Sequence, residues 1–175
     1  MTSTARQGAI VLGLGNVLGR DDGVGIAAIA RLARLFRAAP GLTVIDATTP
    51  AQFFVPLLED AEAAILAGAI QANAAPGTLV RLEGRYATQA AAHRLSLNRP
   101  GAADPLERVW IRSRLPPRLV FLGVVRASAE LGATRTPAVE AALPALVKAI
   151  AQEAAALGYV MFRRRESDLH ELRTQ

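Results

Sequence analysis

The chain contains no cysteine, which excludes disulfides, thiolate metal sites, iron–sulfur clusters and cysteine nucleophiles. A thiol-free composition is compatible with a reducing compartment, and the cytoplasm is the expected location. Aromatic residues are scarce at 5%, so the core has to be built from small aliphatic side chains, alanine above all. Lysine is nearly missing as well: of the 20 cationic residues only Lys148 is not arginine. The net charge of +5 is scattered, and Arg163-Arg164-Arg165 is the one dense run. Without an aromatic platform or a recognisable binding module beside it, this run reads as a basic tail, and no nucleic-acid partner is expected. Long hydrophobic runs are lacking too. The N-terminal apolar stretch is interrupted by Asn16 and by Arg20-Asp21-Asp22. It is too short for a signal-peptide core or a membrane span, so no membrane association is expected.

The 175 residues, 51% of them hydrophobic, suit one globular domain of about ordinary size. Ala9 to Leu14 is a continuous apolar run ending in Gly-x-Gly, as in a buried parallel strand. Val24 to Phe36 places apolar residues at helical spacing, with Arg31, Arg34 and Arg37 toward its end. Leu42 to Asp46 reads as the second strand and Ala63 to Ala69 as the third, a buried one, with a short helix over Pro50 to Leu58 between them. Thr78 to Glu83 alternates, which predicts a half-exposed antiparallel edge strand after the Pro76-Gly77 turn. Gly84 to Pro100 has little periodicity and reads as loop, and Ala102 to Ile111 as a modest helix. Arg118 to Val125 is the last core strand. Pro137 to Leu157 is a long helix, with Thr136 as N-cap, Gly158 as C-cap and a kink or break at Pro144.

Alternating strands and helices imply an α/β fold: one three-layer domain over residues 1–162, with a mostly parallel twisted sheet, one antiparallel edge strand and helices on both faces. Residues 163–175 form a charged tail, expected to be loosely ordered. Ligands of such folds bind at the carboxyl ends of the strands. That directs attention to residues 14–22, 46–49 and 68–71 and to the surroundings of Asn98.

The segment GLGNVLGRDDGVG, residues 13–25, lies at the first of these strand ends. Its Gly-x-Gly start resembles a dinucleotide fingerprint, but the third glycine position holds Leu18. Asp21 and Asp22 would also repel a pyrophosphate at the helix N-terminus. No Gly-Lys-Ser/Thr follows, so a P-loop is absent. One of the two acids could simply cap the following helix. A pair framed by Gly19, Gly23 and Gly25 admits a functional reading equally well.

GLGNVLGRDDGVG resembles the N-terminal signature of the hydrogenase maturation proteases. These endopeptidases trim the C-terminus of the NiFe hydrogenase large subunit. The resemblance continues in order through VIDATTP, ILAGAI, APGTLVRL, GAADPL, LVFLGVV and TPAVE, from about Ile10 to Gly158. It implies a partner, the large-subunit precursor, and a reaction, removal of its C-terminal extension after nickel insertion. It implies no cofactor of the protein's own, since the nickel is carried by the substrate. Three polar positions of the family are thought to contact that nickel.

The first of these positions maps to Asp22. The second, an Asp after the third strand, maps to Gly68, and the third, a His, maps to Asn98. His93 is five residues too early to take that place without a loop shift. The family's Asp-Gly-Gly-Thr element corresponds to Asp46, Ala47, Thr48 and Thr49, which with Asn16, Asp21, Gly68 and Asn98 make up the expected substrate-binding set. The resemblance places no catalytic side chain. Glycine offers no donor at position 68, and a neutral amide is a poor substitute for imidazole, so the metal contact is expected to be weakened. Two readings follow: a working endopeptidase with a variant site, or a non-cleaving relative that acts as a chaperone-type accessory in hydrogenase assembly. A small-molecule-binding α/β domain is the bland alternative.

Overall fold

A computed structural model describes residues 8–49, 51–96 and 115–165. Four apolar runs form parallel strands: β1 (Ala9–Gly13), β3 (Leu42–Asp46), β4 (Ala63–Ile70) and β6 (Arg118–Val125). β5 (Leu79–Glu83) pairs antiparallel with β6 and closes one edge, giving the order β3-β1-β4-β6-β5. Its alternating exposure matches the expected edge strand.

The side-chain alternation along the strands divides the core into two layers. Val11, Ile65, Ala67, Leu122 and Val124 pack against α1 (Val24–Leu35) and α4 (Pro137–Ala156). Ile10, Leu12, Leu14, Leu66 and Phe121 pack against α2 (Ala51–Asp60) and α3 (Arg85–Ser96). Each fully buried Leu, Ile or Phe contributes roughly 1.5–3 kcal/mol of transfer free energy. Helices therefore cover both faces, as the alternation of elements predicts.

Several local expectations differ from the structure. Residues 85–96, read as loop, are the helix α3, which buries Ala87 and Ala91 one turn apart. Alanine favours helix but gives little apolar contrast, so the periodicity is faint. α1 stops at Leu35, and Phe36–Arg37 form the short strand β2. β2 pairs with β7 (Phe162–Arg163), so the chain just beyond Phe162 is held rather than loose. Arg164 extends the clasp: its backbone amide donates to the Leu35 carbonyl, and its guanidinium donates to the Ala33 and Phe36 carbonyls. α4 runs through Pro144 without ending, with Leu143, Leu146 and Val147 packed on the sheet around it. Its C-cap is Leu157, and Gly158 follows it in a left-handed conformation. Pro50, the Ala102–Ile111 helix and Asn98 lie outside the described residues.

The connection β1–α1–β3 leads to one side of β1, and β3–α2–β4 returns to the other. The strand order thus reverses at β1, and a crevice is expected above the carboxyl ends of β1 and β4. A groove of about 330 Å³ between α1 and α4, lined by Leu35, Phe36, Val147 and Lys148 among others, lies toward the opposite end of the sheet.

Candidate functional site at the carboxyl ends of β1, β3 and β4

β1 leads directly into the loop of residues 14–23, which is folded tightly over the strand ends. The Leu14 amide donates to the Ala67 carbonyl at 2.7 Å, joining the loop to β4. Gly25, at the start of α1, sits where a Cβ would run into the carbonyl oxygens of Leu14 and Ala67. A Cβ at Gly15 would collide with the Asp22 carbonyl oxygen, so glycine is what lets the loop double back.

The two acids do different work. Asp21 is fully buried. One carboxylate oxygen accepts hydrogen bonds from the amides of Ala127 and Ser128, both at 2.9 Å. The other accepts from the Thr136 amide at 2.7 Å, and the Thr136 hydroxyl contacts both oxygens at 3.0 Å. Burial alone would push this carboxyl up, but the hydrogen bonds from Thr136, Ser128 and Ala127 outweigh it and hold it below the ordinary aspartate value. Asp21 therefore has no surface to offer a substrate; it joins the first loop to the loop after β6. Neither acid caps α1, whose N-cap is Gly23 without a side-chain hydrogen bond. The carboxylate instead serves the N-terminus of α4: Thr136 is the N-cap there, and its hydroxyl is turned to Asp21 rather than to its own helix.

The two loops are also joined through their backbones. The Arg20 amide donates to the Gly132 carbonyl at 2.7 Å, and the Gly132 amide to the Leu18 carbonyl at 2.8 Å. Arg20 has a φ of 48°, the one positive value among the described non-glycine residues. That strain, of the order of 1–3 kcal/mol, is held by these bonds and by its Nε donating to the Thr134 carbonyl at 3.2 Å.

Asp22 stands closer to solvent. Its Oδ1 accepts from Arg126 at 3.2 Å, and both side chains are largely shielded, at 14% and 17% exposure. A second guanidinium nitrogen of Arg126 donates to Gln71 Oε1 at 3.2 Å. Sequence reasoning did not find Arg126, and nothing local marks it, since its partner lies 104 residues away.

Asn16 is exposed, and its Oδ1 accepts from the Leu18 amide at 3.0 Å. Asp46 ends β3, next to Gly13 in the register. Its Oδ1 accepts from the Thr48 amide at 3.0 Å and from the Thr48 hydroxyl. The Thr49 amide donates to the Asp46 carbonyl at 3.1 Å and the Ala47 amide to the Gly13 carbonyl at 2.8 Å, so residues 46–49 form a turn on the same rim. Gly68 lies within buried β4; a Cβ there would meet the Leu14 carbonyl oxygen at 3.2 Å and Phe121 at 3.6 Å. The strand ends therefore gather Asn16, Asp22, residues 46–49 and Gly68 on one edge of the sheet, with Asp21 beneath. Among the described residues no three His, Cys, Asp or Glu side chains are placed to hold a metal ion. No described helix is long and apolar enough to cross a membrane.

These features define a doubly wound α/β domain whose polar rim lies at the switch point and lacks a nucleotide loop. The chain belongs to the hydrogenase maturation protease family, whose sequence profile matches residues 26–153. It is 30% identical over 115 residues to the hydrogenase expression/formation protein HupD of Rhodobacter capsulatus; the match covers 65% of this chain and 55% of that protein. It is 28% identical over 144 residues to the Hydrogenase 2 maturation protease of Escherichia coli, covering 81% of this chain and 88% of that one. The fold matches that of the hydrogenase maturating endopeptidase HybD from E. coli with a TM-score of 0.77 at 24% identity, over 90% of this chain and 98% of that one.

Proposed function

We propose that this chain matures a NiFe hydrogenase by endopeptidase removal of the C-terminal extension of its large-subunit precursor. The observation that carries the reading is the family match over residues 26–153, combined with an intact loop and turn at the switch point. The relatives include a named maturation protease and a hydrogenase expression/formation protein, which favours processing over the non-cleaving accessory role.

The rim suits an extended peptide. The Asp46 turn offers the hydroxyl of exposed Thr48 and the half-exposed Thr49 beside it. Val17, Leu18 and Leu131 are 50%, 63% and 85% exposed on the two joined loops and supply apolar contacts. The nickel is cargo of the substrate, and the residues present do not fit it as a contact set. Asp22 is already ion-paired, position 68 has no side chain and position 98 carries an amide. We assign the reaction to the cytoplasm, in keeping with a chain free of cysteine.

The test is to incubate the purified chain with nickel-loaded precursor and follow the precursor by intact mass. Loss of a C-terminal peptide is expected. An unchanged mass, with a related maturation protease cleaving the same sample, overturns the reading.

A further inference from the structure

The chain brings its own cation to the acid that the family resemblance places against the metal. Arg126 directly follows β6, and its amide donates to the Ile70 carbonyl at 3.0 Å, which fixes its backbone beside the end of β4. From there the guanidinium reaches Asp22 Oδ1 and Gln71 Oε1, each at 3.2 Å. The ion pair is 17% and 14% exposed, so solvent and salt screen it little. A divalent ion bound to that carboxylate oxygen would lie no more than about 5–6 Å from the guanidinium nitrogen, where like charges repel strongly.

The other two expected contacts offer nothing to offset the repulsion. Gly68 has no side chain, and a Cβ there would be tight against the Leu14 carbonyl at 3.2 Å. Asn98 is an uncharged amide. Among the described residues, the donor set and the field both disfavour nickel at this corner.

We infer that Arg126 takes the place of the metal contact, so that this site recognises the precursor through its polypeptide, whether or not nickel is present. The inference rests on the maturation reading above. Arg126 is a specificity-determining residue here. Its guanidinium keeps divalent cations off Asp22, and Gln71 steadies it from the other side. The Asp22–Arg126 pair forms a net-neutral polar floor that a peptide meets with hydrogen bonds rather than with a metal bond.

The test has two arms. In the first, nickel(II) is titrated into the isolated protein, and paramagnetic broadening of the backbone amides of residues 19–23 is read by NMR. The native chain is expected to show no broadening at this loop, and Arg126→Lys is expected to behave the same. Arg126→Gln is expected to bind nickel there at least about tenfold more tightly. Equal broadening in the native chain and Arg126→Gln would overturn the inference. The second arm needs no variant and measures binding of the native chain to nickel-free and nickel-loaded precursor. Affinities within about twofold of one another are expected. Binding confined to the nickel-loaded form would overturn the inference while leaving the maturation reading in place. Binding of neither form would sink the maturation reading itself.

Discussion

Replacing Asp21 by asparagine removes one acceptor and a negative charge while keeping the shape of the side chain. In the native site both carboxylate oxygens are used, one by the Ala127 and Ser128 amides and the other by Thr136. An asparagine oxygen can serve one of these groups only. The other group then faces an NH₂, a donor against a donor. Hydrogen bonds to a charged group contribute about 1.5–3 kcal/mol each, and a donor stranded in a buried site costs a similar amount. Ala127 is exposed and Ser128 and Thr136 are half-buried, so water can relieve part of the loss. The net cost of Asp21→Asn is therefore about 2–4 kcal/mol, or roughly 5–15 °C in Tm for a domain of this size.

The pH dependence gives a second handle. Because the folded carboxyl lies below its ordinary value, it is ionised and stabilising above the unfolded pKa, near 3.8. That contribution is lost as pH falls through the lowered folded value. Urea unfolding followed by circular dichroism should thus give a constant gap between native and Asp21→Asn proteins from about pH 5 to 7, closing below about pH 4. A gap under about 0.5 kcal/mol at neutral pH, or one that does not change on acidification, would refute the role assigned to Asp21.

Gly25→Ala should cost about 3 kcal/mol or more, because the new methyl meets two backbone carbonyls that cannot rotate away. A urea midpoint near that of the native protein would show that α1 can slide off the strands. Arg81→Ala should lose about 0.5–1.5 kcal/mol, since Arg81 holds Glu153 with two hydrogen bonds at 2.8 and 2.7 Å but is itself 45% exposed. The difference should shrink in 1 M salt, which unfolding with and without added salt would reveal. Asp46→Ala should change stability by under about 1 kcal/mol, since its side-chain partners are in its own exposed turn. It should raise KM for precursor cleavage, and wild-type kinetics in this variant would remove Asp46 from the substrate site.

The strands β1 and β4 were legible because a parallel strand buried on both faces must be apolar at every position, as Ala9 to Gly13 and Ala63 to Ala69 are, and β6 follows the same rule after its exposed Arg118. α3 was missed because its buried residues are alanines, which a hydrophobic pattern hardly registers. β2 and β7, two residues each, are too short to carry a period. At the site, the sequence located the loop and its glycines but could not divide the labour between two adjacent acids. Asp21 finds its partners 106 to 115 residues away, and Asp22 meets Arg126 at a similar separation. Long-range hydrogen bonds of this kind leave no local trace. They depend on how β6 is placed next to β4.

The double fastening of the first loop to the segment after β6 also bears on how the chain acquires its shape. Apart from the Leu14–Ala67 bond and the bonds within the loop, the hydrogen bonds that fasten residues 14–23 come from Arg126, Ala127, Ser128, Gly132, Thr134 and Thr136. A chain emerging from the ribosome therefore cannot complete this corner until most of its length is available, and closing so large a loop is entropically late work. β1, α1 and β3 can associate early, but the rim above them stays unfinished until α4 begins to form. A truncated or stalled product would carry the recognisable sheet without the finished rim, which makes the site a property of the whole fold.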